Sequence, residues 1–246
     1  MNCQSNTLSV AYMKLHFASK YFRHLLLASV AALSLLVTPA VHAAGPALAL
    51  DSLPAGKLGN QEAMQNGAKT FMTYCLGCHG ISMMRYNRLA DIGMTEEQIK
   101  AIMPAGAKLG DYIRTSIPRA DAKQWFGAAP PDLSVTARSR SSGAGSGTEW
   151  VYTFLRTFYE DPARQTGWNN KTFAEVGMPH VLWEVQKSKS PQEYDSFVAD
   201  LAAFLAYTAE PAQFSRKTIG VVVMIFLAIF FVIAWRLNKA YWKNIK

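Results

Sequence analysis

The chain has 246 residues, half of them hydrophobic, and 25 Lys and Arg against 17 Asp and Glu give it a formal charge of +8. That excess is terminal: nine basic residues lie before residue 45 or after residue 215, whereas every acid lies between Asp51 and Glu210. The middle carries 16 basic and 17 acidic residues, which excludes a basic stripe for DNA or RNA, and no repeat of solenoid period is present.

In chain order, Lys14, Lys20, Arg23 and His24 precede an apolar run from Leu25 to Val37, followed by Pro39, Ala40, Ala43 and Ala44. The run is short for a membrane span, so residues 1–43 are expected to be a secretory signal cleaved after Ala43. Met13 is a candidate start that leaves residues 1–12 as a misassigned extension, and Cys3 then never reaches the mature chain. Residues 44–212 form the expected exported domain, long enough to bury its own core.

Gln61 to Tyr74 fits a helix, with Ala63, Ala68, Phe71 and Met72 available for packing. Gly67 either weakens this helix or admits another backbone closely. The segment leads into Cys75-Leu76-Gly77-Cys78-His79, the C-x-x-C-H attachment signature of a c-type haem. Thiols three residues apart share one side of a helical turn and reach two vinyl groups along one porphyrin edge. The following imidazole is then offered to the iron. A thioredoxin-like pair would follow a strand in a βαβ pattern, which does not surround Cys75. A structural zinc needs four ligands, and only His180 remains in the mature domain for that role. A plain disulfide would not require His79. One covalently bound haem c is the expected cofactor.

Further helical patterning covers Thr95–Ile102, Leu109–Ser116, Glu149–Tyr159 and Pro191–Ala209. Ile117–Pro131 is expected to be a long Pro/Gly connection. Tyr194, Phe197, Val198, Leu201, Phe204, Leu205 and Tyr207 form a broad apolar stripe on the last helix, for which Pro191 favours the start. The expected fold class is mainly α: a cytochrome c-type haem domain with long loops, plus one C-terminal transmembrane helix.

Residues 213–246 are expected to be the anchor and a basic tail. Thr218 to Trp235 is uncharged over eighteen residues, and Arg236, Lys239, Lys243 and Lys246 follow it, which places the tail in the cytoplasm and the haem domain in the periplasm. Gly220 and Ala228 would allow close approach of a partner helix.

The second axial ligand has several candidates: Met83, Met84, Met94, Met103 and Met178. Met83 and Met84 lie too near His79 to reach the opposite face of the ring, and Met94 and Met103 belong to a helical stretch where methionine is usually core filler. Met178 lies in a loop that Gly177 and Pro179 constrain, and His180 is the alternative in that loop.

From Leu53 to Lys246 the chain resembles the cytochrome c1 family, haem subunits of bacterial ubiquinol–cytochrome c oxidoreductase (bc1) complexes. The resemblance rests on Cys75-x-x-Cys78-His79, Met84 to Leu89, Ala122 to Gly127, Pro130-Pro131-Asp132-Leu133-Ser134, Arg138-Ser139-Arg140, Gly177-Met178-Pro179 and Leu237 to Lys243, in that order. It implies that His79 and Met178 are the axial ligands and that Arg140 neutralises a haem propionate, a pairing suited to a guanidinium. It also implies a respiratory electron carrier, supplied by a Rieske iron–sulfur subunit beside cytochrome b and discharging to a soluble or membrane-tethered cytochrome c. No catalytic acid–base pair or nucleophile is evident. The alternative is a membrane-anchored c-type cytochrome of another respiratory complex, a terminal oxidase subunit or a peroxidase. The chain departs from the family in the Gly/Ser-rich residues 141–149, expected to be flexible, in Trp150 where tyrosine is common, and in His180-Val181 where prolines follow the methionine.

Overall fold

The computed structural model describes residues 49–244, so the expected signal segment, the Met13 start and Cys3 lie outside the described residues. What is described is mostly helical, as the sequence pattern requires. Helix α1 (Gln61–Thr70) opens where the Asn60 side chain accepts from the Ala63 amide at 3.0 Å. It widens into one looser turn, Phe71–Cys75, closed by the Leu76 amide on the Phe71 carbonyl at 3.0 Å. Strand β1 (Ile81–Arg85) pairs antiparallel with β2 (Tyr112–Ile113), Ile81 facing Ile113. Between them lie a tight helical segment, Tyr86–Ile92, stopped by Gly93 at φ +82°, and α2 (Glu96–Ile102), started by a Thr95–Gln98 capping box.

Next come α3 (Arg119–Phe126), α4 (Thr136–Ser139) and α5 (Gly147–Arg156). A hairpin follows, β3 (Phe158–Glu160) with β4 (Trp168–Asn170), in the register Phe158↔Asn170, Tyr159↔Asn169 and Glu160↔Trp168. Helices α6 (Trp183–Ser188), α7 (Pro191–Ala209) and α8 (Gln213–Tyr241) complete the chain. Helix α7 begins where expected, with Pro191 in its first turn and Ser190 and Glu193 exchanging capping bonds.

The core is α7 laid against α1 and α5. Gly67 is what lets α1 approach: a Cβ there would stand 2.1 Å from the Asp200 carbonyl oxygen and 2.7 Å from Phe204 Cβ. Of the two readings of Gly67, close approach is the one realised. Phe71 packs tilted on Phe204, ring centroids 6.0 Å apart. On the other side Tyr194 donates to the Leu155 carbonyl at 2.9 Å, and Arg156 grips Asp195 with two bonds of 2.5 and 2.7 Å while reaching Asp51 at 2.6 Å.

Four local expectations are corrected. Leu109–Ser116 is not a helix: Asp111 closes a turn on Lys108, and the chain then extends so that Ile113 is buried against Ile81. Tertiary strand pairing overrides a short helical pattern. The connection Ile117–Pro131 is not without structure, because Pro118 opens α3, with the Ala122 amide on the Pro118 carbonyl at 2.9 Å. The helix expected over Glu149–Tyr159 starts two residues earlier and stops at Arg156, as the β-rich Phe158-Tyr159-Glu160 joins the hairpin. The Gly/Ser-rich segment 141–149 is ordered by its own side chains: Ser142 and Gly145 pair through their backbones, Ser141 Oγ accepts from the Gly147 amide at 2.9 Å, and Ser146 caps α5.

Helix α8 extends the expected span at both ends. From Ser215 to Tyr241 it is long and apolar enough to cross a membrane, and none of its apolar window is buried within the protein. Ile219, Phe226 and Phe231 are all exposed. That is the pattern of a helix whose solvent is lipid, opposite to a core helix such as α7.

Candidate functional site

The attachment turn follows α1 without a break. The amides of Cys78 and His79 both converge on the Cys75 carbonyl, at 3.0 and 2.8 Å, which sets both thiols and the imidazole on one turn. Cys75 is buried in the core and Cys78 half-buried, and both are free thiols. Burial, helped by the charge on Cys78, pushes the Cys75 thiol up to about 12. A redox-active pair needs a stabilised thiolate, so this site lacks the electrostatics of a thioredoxin-like centre. Among the described residues no group of three or more His, Cys, Asp and Glu side chains is placed to hold a metal ion.

His79 is oriented from behind. Its Nδ1 lies 2.8 Å from the Pro131 carbonyl oxygen. A carbonyl can only accept, so Nδ1 carries the proton and Nε2 keeps its lone pair. Burial holds His79 below its ordinary value, against smaller opposing effects of the Pro131 carbonyl and Asp132, and so favours the neutral, ligating form.

The segment that supplies this acceptor is itself laced to the turn. The Leu133 amide donates to the Gly80 carbonyl at 2.8 Å, and Thr115 Oγ1 donates to the Gly77 carbonyl at 2.8 Å. Asp132 accepts from the Ser82 amide at 2.8 Å through one oxygen, and from the Ser134 amide at 2.9 Å and the Ser134 hydroxyl through the other. Burial alone would raise Asp132, but these donors outweigh it and hold the carboxyl below its usual range. Thr115, Pro131 and Asp132 were not singled out as site residues in the sequence, where Pro131 and Asp132 figure only within a longer block. Nothing in a Pro-Pro-Asp-Leu-Ser string says that its carbonyl will find His79 across 52 residues.

Met178 is half-buried against the same apolar cluster that contains Cys75 and Leu76. Met84 and Met94 are buried in that cluster as core, and Met83 is 74% exposed. His180 is 3% exposed. It is committed elsewhere: its ring stacks on Phe158 at 4.8 Å and 3°, meets the edge of Trp168 at 4.9 Å, and its Nε2 lies 2.6 Å from Gln186 Oε1. Burial lowers its basicity as well. This arrangement leaves Met178 as the ligand candidate of the loop.

Arg140 lies exposed at the end of α4, its guanidinium 4.5 Å over the Trp150 ring and 5.5 Å from that of Phe173. Among the described residues it has no carboxylate partner, whereas Arg138 pairs with Glu210 at 3.1 Å. Trp150 stacks on Phe154 at 5.0 Å and Phe154 meets Phe158 at 5.1 Å. One aromatic run therefore connects Arg140 to His180 of the methionine loop. A separate cleft of about 420 Å³, lined by Leu53, Arg138, Glu149, Ala206 and Glu210 among others, draws no residue from the turn or that loop.

A thiol kept protonated by burial, as Cys75 is, makes a poor redox catalyst, yet an S–H group is what adds across a vinyl double bond. An imidazole with one nitrogen committed to a carbonyl has the other to give to iron, and a thioether in a constrained loop suits the opposite face. The donor set thus fits a haem c, and the class it defines is that of the c-type cytochromes.

Comparison with known proteins narrows the class. The model of the "Cytochrome C1 family" matches residues 54–245. A protein of Allochromatium vinosum named cytochrome c1 is 41% identical over 217 residues, 76% of this chain and 86% of its own length. One of Nitrosomonas europaea, named ammonia monooxygenase gamma subunit, is 40% identical over 232 residues, 87% of this chain and 96% of its own. The cytochrome c1 of Rhodospirillum rubrum is 27% identical over 230 residues, covering 76% and 83%. The chain belongs to the cytochrome c1 family, and with it has the electron-transfer role of a c-type cytochrome.

Proposed function

We propose that this chain is the haem subunit of a quinol–cytochrome c oxidoreductase of the bc1 type, taking single electrons from a Rieske iron–sulfur subunit and passing them to a soluble or membrane-tethered cytochrome c. One haem c would be held through Cys75 and Cys78, with His79 and Met178 as the residues that would ligate its iron and Arg140 the one that would pair with a propionate. When bound, that group supplies a reversible one-electron couple, whose potential a thioether ligand raises. The protein's share is to hold the imidazole neutral and aimed, to shield the ring within the Met64–Tyr207 core, and to place one guanidinium for a carboxylate.

The observation that carries this reading is the His79–Pro131 hydrogen bond within a Cys75–Cys78–His79 turn, in a chain of this family. The oxygenase name of the Nitrosomonas relative is a mislabel and is not carried over, since the family model and the Allochromatium protein agree on cytochrome c1. Residues 44–212 would occupy the periplasm, after removal of 1–43, with α8 crossing the inner membrane once and the basic end of the chain in the cytoplasm. The one candidate span among the described residues offers no enclosed quinone site, so quinol oxidation would fall to a polytopic cytochrome b, against which Gly220 and Ala228 would give α8 a close-packing face.

The test is redox spectroscopy of native membranes. A c-type band reduced by quinol, and no longer reduced when a bc1 inhibitor is present, is the expected result. A band indifferent to quinol would reject the complex while leaving the cytochrome.

A further inference from the structure

The loop that carries Met178 has no regular structure, yet it is held at both ends by the β3–β4 hairpin. Upstream, Asn170 Oδ1 accepts from the Thr172 and Phe173 amides at 2.8 and 3.1 Å, and its Nδ2 donates to the Phe154 carbonyl at 2.7 Å. Asn169 Oδ1 accepts from the Glu175 amide at 2.9 Å, while Arg164 Nη2 donates to the Glu175 carbonyl at 2.7 Å. Glu175 itself is in the left-handed region, φ +58°, a conformation that needs such outside support. Downstream, His180 is wedged parallel to Phe158 and edge-on to Trp168, and tied to Gln186 of α6. Asn169 and Asn170 end β4, Phe158 starts β3, Trp168 starts β4, and Arg164 lies in the connecting turn.

Only Val176 to Pro179 remain between the two points of fixation. Two residues of chain span at most about 7 Å, so any shift of the His180 ring is passed almost undiminished to Met178. A sulfur ligand is useful to iron only if it is held within roughly 0.5 Å of its bonding position.

We infer that His180 is a positioning residue for the Met178 thioether, the downstream post of a two-post clamp whose upstream post is Asn169 with Asn170. This rests on Met178 being an axial ligand, as proposed above. A histidine suits the post better than a phenylalanine because the imidazole stacks like a ring and also donates a hydrogen bond. The stack fixes the plane of the ring, and the bond to Gln186 fixes its rotation within that plane. An aliphatic residue at position 180 would fill the volume and fix neither.

The experiment uses the full chain, haem-loaded, in its native complex. In the ferric state it is titrated with imidazole, which competes with Met178 for the iron, while the sulfur-to-iron charge-transfer band and the midpoint potential are followed. His180→Ala is expected to bind imidazole at least about tenfold more tightly than the natural chain, equivalent to about 1.4 kcal/mol, with a lowered potential; Gln186→Leu, which loses only the hydrogen bond, should bind it several-fold more tightly. His180→Phe, which keeps the stack and loses the hydrogen bond, should fall between His180→Ala and the natural chain. A purely architectural histidine would lower thermal stability and leave imidazole affinity unchanged. Unchanged affinity in His180→Ala and Gln186→Leu, with covalent haem retained, overturns the clamp. Should His180→Ala fail to accumulate, Gln186→Leu decides alone, because it leaves both aromatic contacts of His180 in place. Met178→Leu separates the two levels of the argument: it must lack the charge-transfer band before any imidazole is added. If the band persists there, it is the ligand assignment that fails.

Discussion

The two sides of the proposed haem site are built by different means. On the attachment side, a helix runs directly into Cys75–His79, backbone bonds fold the turn, and a second backbone carbonyl orients the imidazole. On the methionine side, no helix or strand delivers Met178; side chains of Asn169, Asn170 and Arg164 hold the loop from outside, and His180 within it packs on Phe158 and Trp168 and bonds Gln186. One proposed ligand is held by backbone groups, the other by side-chain contacts. Damage to the first should therefore abolish the site, whereas damage to the second should detune it.

The largest effect tests the first half of that contrast. Cys78→Ser or His79→Ala is expected to leave the mature chain without stably bound haem, read as loss of the added mass and of the c-type band. Haem retained at full occupancy in both variants would show that the turn is not the anchor. Met178→Leu comes next: haem stays attached, but the sulfur charge-transfer band disappears and the potential drops.

Gly67→Ala probes the packing beneath both sides. The new methyl would collide with the Asp200 backbone, which cannot swing aside as a flexible side chain would, so a loss of about 3 kcal/mol is expected from overpacking. Thermal unfolding measures it, and a loss under about 0.5 kcal/mol would mean that α1 and α7 slide apart freely. Asp132→Ala should cost about 1–3 kcal/mol by stranding the Ser82 and Ser134 donors.

The same carboxyl sets a pH dependence. Its folded value is depressed, so its stabilisation is fully present above the ordinary carboxylate value and is lost as pH falls through the folded one. The natural chain should thus lose more stability on acidification below about pH 4 than Asp132→Asn does. The smallest effect is expected from Lys100→Ala, which removes an exposed, solvent-screened pair with Glu96 on α2 and should leave the thermal unfolding midpoint essentially where it is in the natural chain.

Much of this was legible because it is local. Cys75, Cys78 and His79 are neighbours, Ser190-Pro191 announces α7, and eighteen uncharged residues announce α8. Met178 was reached through its loop position and family likeness; what needed the fold is that Phe158, Trp168 and Gln186, brought up from three elements, already engage the His180 imidazole. The acceptor for His79 and the Asn169–Asn170 post are long-range pairings of common residue types, and no periodicity marks them. Leu109–Ser116 failed for the same reason, because a two-residue strand exists only through its partner. The propionate role proposed for Arg140 came from family likeness alone; the structure adds that its guanidinium lies over Trp150.

Helix α7 ends at Ala209 and α8 begins at Gln213. Of the three intervening residues, Pro211 has a restricted backbone and Glu210 grips both Arg138 of the head and Arg216 of the stem. Gln213 also reaches back to the Ala206 carbonyl at 3.2 Å. A mooring this short leaves little slack between head and stem, so in the relay proposed above the travelling would fall to the carriers on either side of it.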